Sequence, residues 1–289
     1  VKAREEGKYT VLCDTSPCLY RMRQVMNPGL KLYEPVAFIH DFLMEKLEFK
    51  DVTKSFNGID AVKHVSFQVI EGEILVLIGT SGCGKTTTLK MINRLVEPTS
   101  GVIELGGKNI SDYDPIELRR SIGYVIQSIG LFPHMTIEKN IGVIPELMNW
   151  TKEKVASRIE ELLTMVGLDP DTYRARYPAE MSGGQQQRVG IARAFVGRPG
   201  IIFADEPTGN LDSTSGAEVM ALLRTLNLER GITVVLVTHD LEFAERWSDR
   251  WVLMAGGRVV AAGAPESRIP CQSTVKRPAV ILPPRILRT

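Results

Sequence analysis

The chain has 289 residues, 44% hydrophobic and 24% charged, with 35 basic against 34 acidic side chains and a net charge of +1. At roughly 150 residues per domain, that is one large domain or two small ones with room for a sizeable core. The charge balance excludes a protein driven onto nucleic acid by bulk charge, though not a local basic patch; no nucleic-acid partner is expected. No run of residues approaches the roughly 18 apolar positions of a membrane span.

Residues 1–43 come first, with Pro17, Pro28 and Pro35 and no sustained period. They are expected to form a poorly ordered, dispensable extension, with Met44 as the natural start. No apolar stretch follows the first residues as a secretory signal requires. The cysteines at 13, 18, 83 and 271 lack metal-ligand spacing. Cys13 and Cys18 could pair, but a reducing cytosol is the expected compartment.

From 44 to 265 strand and helix signals alternate. Residues 47–52 and 65–70 read as strands, and 74–78 as a strand buried on both faces. Glycines follow, then a helix over 85–96 ending before Pro98. Residues 102–105 with Gly106-Gly107 read as a hairpin arm, and 122–126 as another strand. Over 152–166, Val155, Ile159, Leu162, Leu163 and Val166 share one helical face. Two more buried strands, 201–204 and 233–237, enclose a helix over 217–228. Residues 251–254, Gly256-Gly257 and 258–262 form a closing hairpin. This alternation, without an internal repeat, predicts an α/β domain with a mainly parallel sheet. Residues 266–289, with Pro270, Pro278, Pro283 and Pro284 among scattered Arg and Lys, read as a solvated basic tail.

Three motifs carry chemistry. Gly79, Thr80, Ser81, Gly82, Cys83, Gly84, Lys85 and Thr86 fit the phosphate-binding loop G-x-x-x-x-G-K-[ST], with Thr87 next. Glycines let backbone N–H groups close around phosphate oxygens, and the following helix adds its positive end. Lys85 suits the terminal phosphates and the Thr86 hydroxyl suits Mg²⁺. With glycine at roughly 7% of residues, a chance match in this length is on the order of one per cent, and the strand before it and helix after it are the required context. The 201–204 strand ends in Asp205 and Glu206. Alone this reads equally as a solvated strand end. Beside a phosphate loop, Asp205 suits the metal shell and Glu206 the polarisation of an attacking water. Ser182, Gly183, Gly184 and Gln185 make a capping box at a helix start, and a second anion-binding nest.

On these residues, 44–265 resembles the nucleotide-binding subunit of an ATP-binding-cassette (ABC) transporter. Residues 79–86 are similar to Walker A and 201–206 to Walker B. Met181-Ser182-Gly183-Gly184-Gln185 looks like the signature, with Met for the usual Leu. Gln127 matches the Q-loop, Gly209-Asn210-Leu211-Asp212 the D-loop, and His239 the switch histidine. Phe56 matches the aromatic that stacks on adenine, where Tyr is more usual. The resemblance implies a phosphate-loop fold with an antiparallel β subdomain and a helical subdomain at about 128–190. It implies a head-to-tail dimer, a homodimer or a paired ABC subunit, with each ATP between one subunit's Walker A and the other's signature. Catalysis would fall to Glu206, His239 and Lys85, and Mg²⁺ to Thr86, Gln127 and Asp205. Integral membrane permease subunits, a substrate-binding protein and a peripheral place on the cytoplasmic membrane face follow. Cys83, in the loop beside Lys85, is expected to be a reactive thiol that bound ATP protects. His64, His134, Trp150, Trp247 and Trp251 are read as packing or surface residues.

The stretches 127–140 and 177–188 resemble bacterial importers of glycine betaine, choline, carnitine or related quaternary amines. Pro207-Thr-Gly-Asn-Leu-Asp212 departs from them, since those importers usually carry Phe-Gly-Ala-Leu-Asp. It is similar to lipoprotein-release and macrolide-export ATPases, which makes an exporter the alternative. Soluble ABC proteins of translation or repair usually carry two cassettes or a long coiled coil, and this chain shows neither. A phosphate-loop kinase would not explain Ser182–Gln185 together with His239.

Overall fold

A computed structural model describes the backbone of residues 2–5, 8–12, 32, 33, 45–265, 267 and 269, and side chains from residue 47 onward. Cys13, Cys18, Met44 and nearly all of the predicted basic tail lie outside the described residues. The chain divides into two compact units, Val1–Glu45 and Lys46–Thr289. In the first, β1 (Lys2–Glu5) pairs antiparallel with β2 (Lys8–Leu12), which pairs in parallel with β3 (Leu32–Tyr33). The stretch expected to be poorly ordered thus includes three short strands.

The second unit is an α/β domain. Its six-stranded sheet has the order β13-β12-β6-β11-β10-β9, with β6 Ile74–Ile78, β9 Ile122–Val125, β10 Ile201–Asp205, β11 Thr233–Thr238, β12 Arg250–Ala255 and β13 Arg258–Gly263. All pairings are parallel except that of β13, the return arm of the closing hairpin. A second sheet has the order β5-β4-β7-β8, from β4 (Glu45–Phe56), β5 (Ile59–Ile70), β7 (Ser100–Leu105) and β8 (Lys108–Asn109). The helices are α1 (Lys85–Ile92), α2 (Pro115–Ser121), α3 (Ile137–Leu147), α4 (Lys152–Met165), α5 (Pro170–Tyr173), α6 (Gly183–Phe195), α7 (Ser213–Arg230) and α8 (Leu241–Trp247). None among the described residues is long and apolar enough to cross a membrane.

The period of two explains why the central strands read as unbroken apolar runs. Ile74, Val76 and Ile78 face a core built with α3, α4, α6 and α7, while Leu75 and Leu77 face a second core against β4, β5 and α1. β10, β11 and β12 split the same way, Ile202 against Phe203, Leu236 against Val235, and Leu253 against Val252. Burying one such side chain stabilises the fold by about 1.5–3 kcal/mol. Phe49 and Phe67 stack at 4.5 Å in the second core.

Two helices end elsewhere than the sequence predicts. The helix expected over 85–96 stops at Ile92, because Asn93 leaves helical geometry and Arg94 takes φ +51°. The helix expected over 217–228 runs from Ser213 to Arg230: Asp212 accepts the Ser215 N–H at 2.9 Å, and Gly231 turns left-handed at the other end. Register does the rest. Asp205 lies opposite Val237, and Thr238 opposite Ile78. The carboxyl ends of β6, β10 and β11 therefore finish level at one edge of the sheet, where open parallel sheets bind ligands.

Candidate nucleotide site

The loop Gly79–Gly84 connects β6 to α1. Gly82 and Gly84 take φ of +78° and +104°, and a Cβ on Gly84 would lie 2.7 Å from the Ala61 carbonyl oxygen. Gly84 is also the α1 N-cap, with neither a side-chain cap nor an acid in the first turn. The first N–H groups of α1 stay available to an anion. Lys85 is buried and folds across the loop, its Nζ donating to the carbonyls of Gly79 at 2.6 Å and Thr80 at 3.0 Å.

Cys83 corrects the expectation of an accessible thiol. It is 3% exposed and belongs to the second core, with Sγ 3.7 Å from Lys85 Nζ. Its contribution to the loop is the backbone N–H, which donates to Thr80 O at 3.2 Å.

Beside the loop, Thr86 Oγ1 donates to Asp205 Oδ1 at 3.1 Å. Burial pushes the Asp205 carboxyl above the usual aspartate value, and the Glu206 charge adds to this. The Thr86 hydrogen bond and the Lys90 and Lys85 charges only partly offset it. Glu206 has the left-handed φ of +45°. Its N–H donates to Val237 O at 2.9 Å, and its carbonyl accepts from Gly209 at 3.1 Å. That backbone aims the carboxylate across the strand ends, where Oε2 accepts from Gln127 Nε2 at 3.0 Å and Oε1 lies 3.3 Å from His239 Nδ1. A strained φ fixed from both sides is a feature of functional sites.

The structure thus brings together Lys85, Thr86, Gln127, Asp205, Glu206 and His239. Thr86, Asp205 and Gln127 offer a hydroxyl, a carboxylate and an amide oxygen. Among the described residues no group of three His, Cys, Asp or Glu could hold a metal. A hard ion that takes one carboxylate and completes its shell with substrate phosphates fits this donor set, and Mg²⁺ is such an ion.

Phe56 ends β4, half-exposed, with Lys54 Nζ 5.0 Å from its ring centroid. Ser182–Gln185 start α6, where Gly184 packs on Ser215 and Gly183 on Leu211. The capping box forms: Gln185 N–H donates to Ser182 Oγ at 3.3 Å, and Ser182 N–H to Gln185 Oε1 at 3.0 Å. Asp212, the α7 N-cap, is held below the usual aspartate value by the Ser215 N–H. Sequence reasoning named Asn210 only as part of the D-loop match, without its contact, and missed Tyr173 altogether. Asn210 Nδ2 donates to the Gln127 carbonyl at 3.1 Å, and the Tyr173 hydroxyl accepts from Gln185 Nε2 at 3.0 Å. Only the unusual Asn in Thr-Gly-Asn-Leu-Asp hinted at the first. Of the residues read as packing, Trp251 is buried, Lys154 covers Trp150, Arg246 covers Trp247, and the exposed His64 pairs with Asp51.

Fold and site together define a phosphate-loop nucleotide-binding cassette. Residues 62–209 match the family described as ABC transporter, and the chain belongs to that family. It is 47% identical over 221 residues to the glycine betaine/carnitine/choline transport ATP-binding protein OpuCA of Bacillus subtilis (strain 168), covering 76% of this chain and 58% of that one. It is 46% identical over 219 residues to the glycine betaine uptake system ATP-binding protein YehX of Escherichia coli (strain K12), covering 76% and 71%. The chain therefore spans little over half the length of OpuCA. A solved dimer of the ATP-binding cassette MJ0796 in a post-hydrolysis state with ADP and Pi superimposes with a TM-score of 0.68 at 37% identity, covering 76% of this chain and 98% of that one.

Proposed function

We propose that this chain is the ATP-binding subunit of an ABC importer for glycine betaine-like quaternary amines, hydrolysing ATP in a head-to-tail dimer. The observation that carries the reading is the bracketing of Glu206 by Gln127 and His239, one residue beyond the Asp205–Thr86 pair. In this reading Phe56 stacks on adenine and the 79–86 loop with Thr87 holds the phosphates. Lys85 neutralises terminal-phosphate charge. Thr86, Asp205 and Gln127 hold Mg²⁺, which when bound offsets charge on the phosphate oxygens. Glu206 takes a proton from the attacking water, and His239 both orients that carboxylate and reaches the γ-phosphate. Ser182–Gln185 close the partner subunit's ATP, with Asp212 beside them. Phosphoryl transfer asks mainly for such positioning and charge neutralisation.

Membrane permease subunits, a substrate-binding protein and a peripheral place on the cytoplasmic face complete the assignment. The cargo reading is supported by the likeness to OpuCA and YehX, named for glycine betaine, carnitine and choline transport and for glycine betaine uptake, and by the 127–140 segment. The exporter alternative rests on Thr208–Asp212. In the structure that segment grips Gln127 and Glu206, so its sequence bears on nucleotide handling more than on cargo. The test is to reconstitute the chain with its co-purified permease and measure ATPase activity. Stimulation by a binding protein loaded with glycine betaine, choline or carnitine supports import. A partner with a large periplasmic domain and no binding protein overturns it.

A further inference from the structure

The signature at the start of α6 is held by more than its own capping box. Gln185 uses its carbonyl to accept the Ser182 N–H at 3.0 Å, and donates its amide N–H to the Tyr173 hydroxyl, also at 3.0 Å. An amide with one end fixed can still swing its other end. With both ends engaged, its plane is fixed, and so is the Ser182 backbone on which the Ser182 hydroxyl is mounted. Tyr173 is itself restrained. It closes α5, its ring packs at the edge of the first core, and the Arg176 guanidinium covers the ring at 4.7 Å.

The residues just after Tyr173 hold the start of α3. The Arg174 carbonyl accepts the Glu138 N–H at 3.0 Å, and the Arg176 carbonyl accepts the Ile137 N–H at 2.8 Å. One turn further, the buried Asn140 binds the 132–136 loop through Phe132, Met135 and Thr136. Hydrogen bonds joined by short stretches of backbone therefore connect the 132–136 loop, through 137–140 and 174–176, to Tyr173, Gln185 and Ser182.

We infer that Tyr173 is a positioning residue for nucleotide-driven dimerisation: its hydroxyl sets the Gln185 side chain, and through it the Ser182 face that closes on the partner's ATP. This rests on the reading under Proposed function. Nothing in the chemistry of the phosphate loop involves Tyr173, so its loss leaves each subunit's own ATP site intact.

The test uses the full chain carrying Glu206→Gln, with and without Tyr173→Phe, which removes the hydroxyl and keeps the ring. Dimerisation with ATP is followed by analytical ultracentrifugation, ATP affinity at low protein concentration by titration, and stability by thermal melting. Without the hydroxyl the Ser182 face must be re-ordered in both subunits on association, so dimerisation weakens by about 5- to 30-fold. ATP affinity of the dilute chain stays within about twofold. The same change made on a Gln185→Ala background has little further effect, because the hydroxyl then has no side chain to hold. Unchanged dimerisation in Tyr173→Phe, or an equal loss on the Gln185→Ala background, overturns the inference and leaves the dimer reading standing. A parent that fails to dimerise with ATP overturns both.

Discussion

Replacing Glu206 by Gln tests the site most directly. The change keeps the side chain's length and removes its charge. The backbone reasons for its orientation, the bonds to Val237 and from Gly209 and the φ of +45°, are untouched. The contact from Gln127 at 3.0 Å loses its charge assistance, about 1 kcal/mol. His239 is 64% exposed, so the 3.3 Å contact contributes little to stability. The neighbouring Asp205 gains, because Glu206 is one of the charges that raise its pKa. These effects nearly cancel, and melting should shift by no more than about 2–4 °C for a domain of this size. Turnover, by contrast, should fall by roughly 10²–10⁴-fold, the usual contribution of a positioned general base. ATP binding should persist, and the ATP-bound dimer should accumulate. Phosphate release, equilibrium ATP binding and size-exclusion chromatography measure the three quantities on one preparation. Hydrolysis within a few-fold of the parent would refute the role of Glu206. A large drop in melting temperature would instead show that the side chain holds the fold.

Asp205→Asn should raise the melting temperature of the nucleotide-free chain at neutral pH while abolishing Mg²⁺-dependent hydrolysis. Burial lifts the folded-state pKa of Asp205 above its ordinary 3.8, so the native state holds its proton longer than the unfolded chain; the resulting destabilisation sets in as pH rises above that value, and the gain from Asn should shrink as pH falls toward it. Gly123→Ala should cost about 1–3 kcal/mol in a denaturant titration by overpacking, because the new Cβ would lie 2.8 Å from the Ala194 carbonyl and 2.9 Å from Ile202 Cγ1. Cys83 should resist alkylation in the folded chain with or without ATP and react on unfolding, as read by mass spectrometry; rapid labelling of the native protein would mean that the loop opens.

Much of the site was legible because its chemistry is written in short spacings beside strands whose burial is itself written in sequence. An unbroken apolar run such as 74–78 or 233–237 needs both faces covered, and the residue after it is then delivered to the sheet edge. What sequence hides is the outcome of register between distant segments. Gln127 and Asn210 are 83 positions apart, and only the alignment of β9 beside β10 places the Asn210 side-chain amide against the Gln127 backbone carbonyl. The left-handed φ of Glu206 carries no local signal, since glutamate gains nothing from it; it follows from the bonds to Val237 and Gly209. Cys83 failed for a related reason. Its neighbours in sequence argue for reactivity, but the tight turn at Gly82 and Gly84 rotates its side chain inward against the second core. The same physics explains why the Thr208–Asp212 departure is informative without naming a cargo. Ala in place of Asn210 could not bond the Gln127 carbonyl, so this cassette ties the loop after β9 to the Walker B turn by a contact that the Phe-Gly-Ala-Leu-Asp pattern lacks. That difference lies in how the Gln127 backbone and the Glu206 turn are held together, and under the proposed reading it is independent of the cargo.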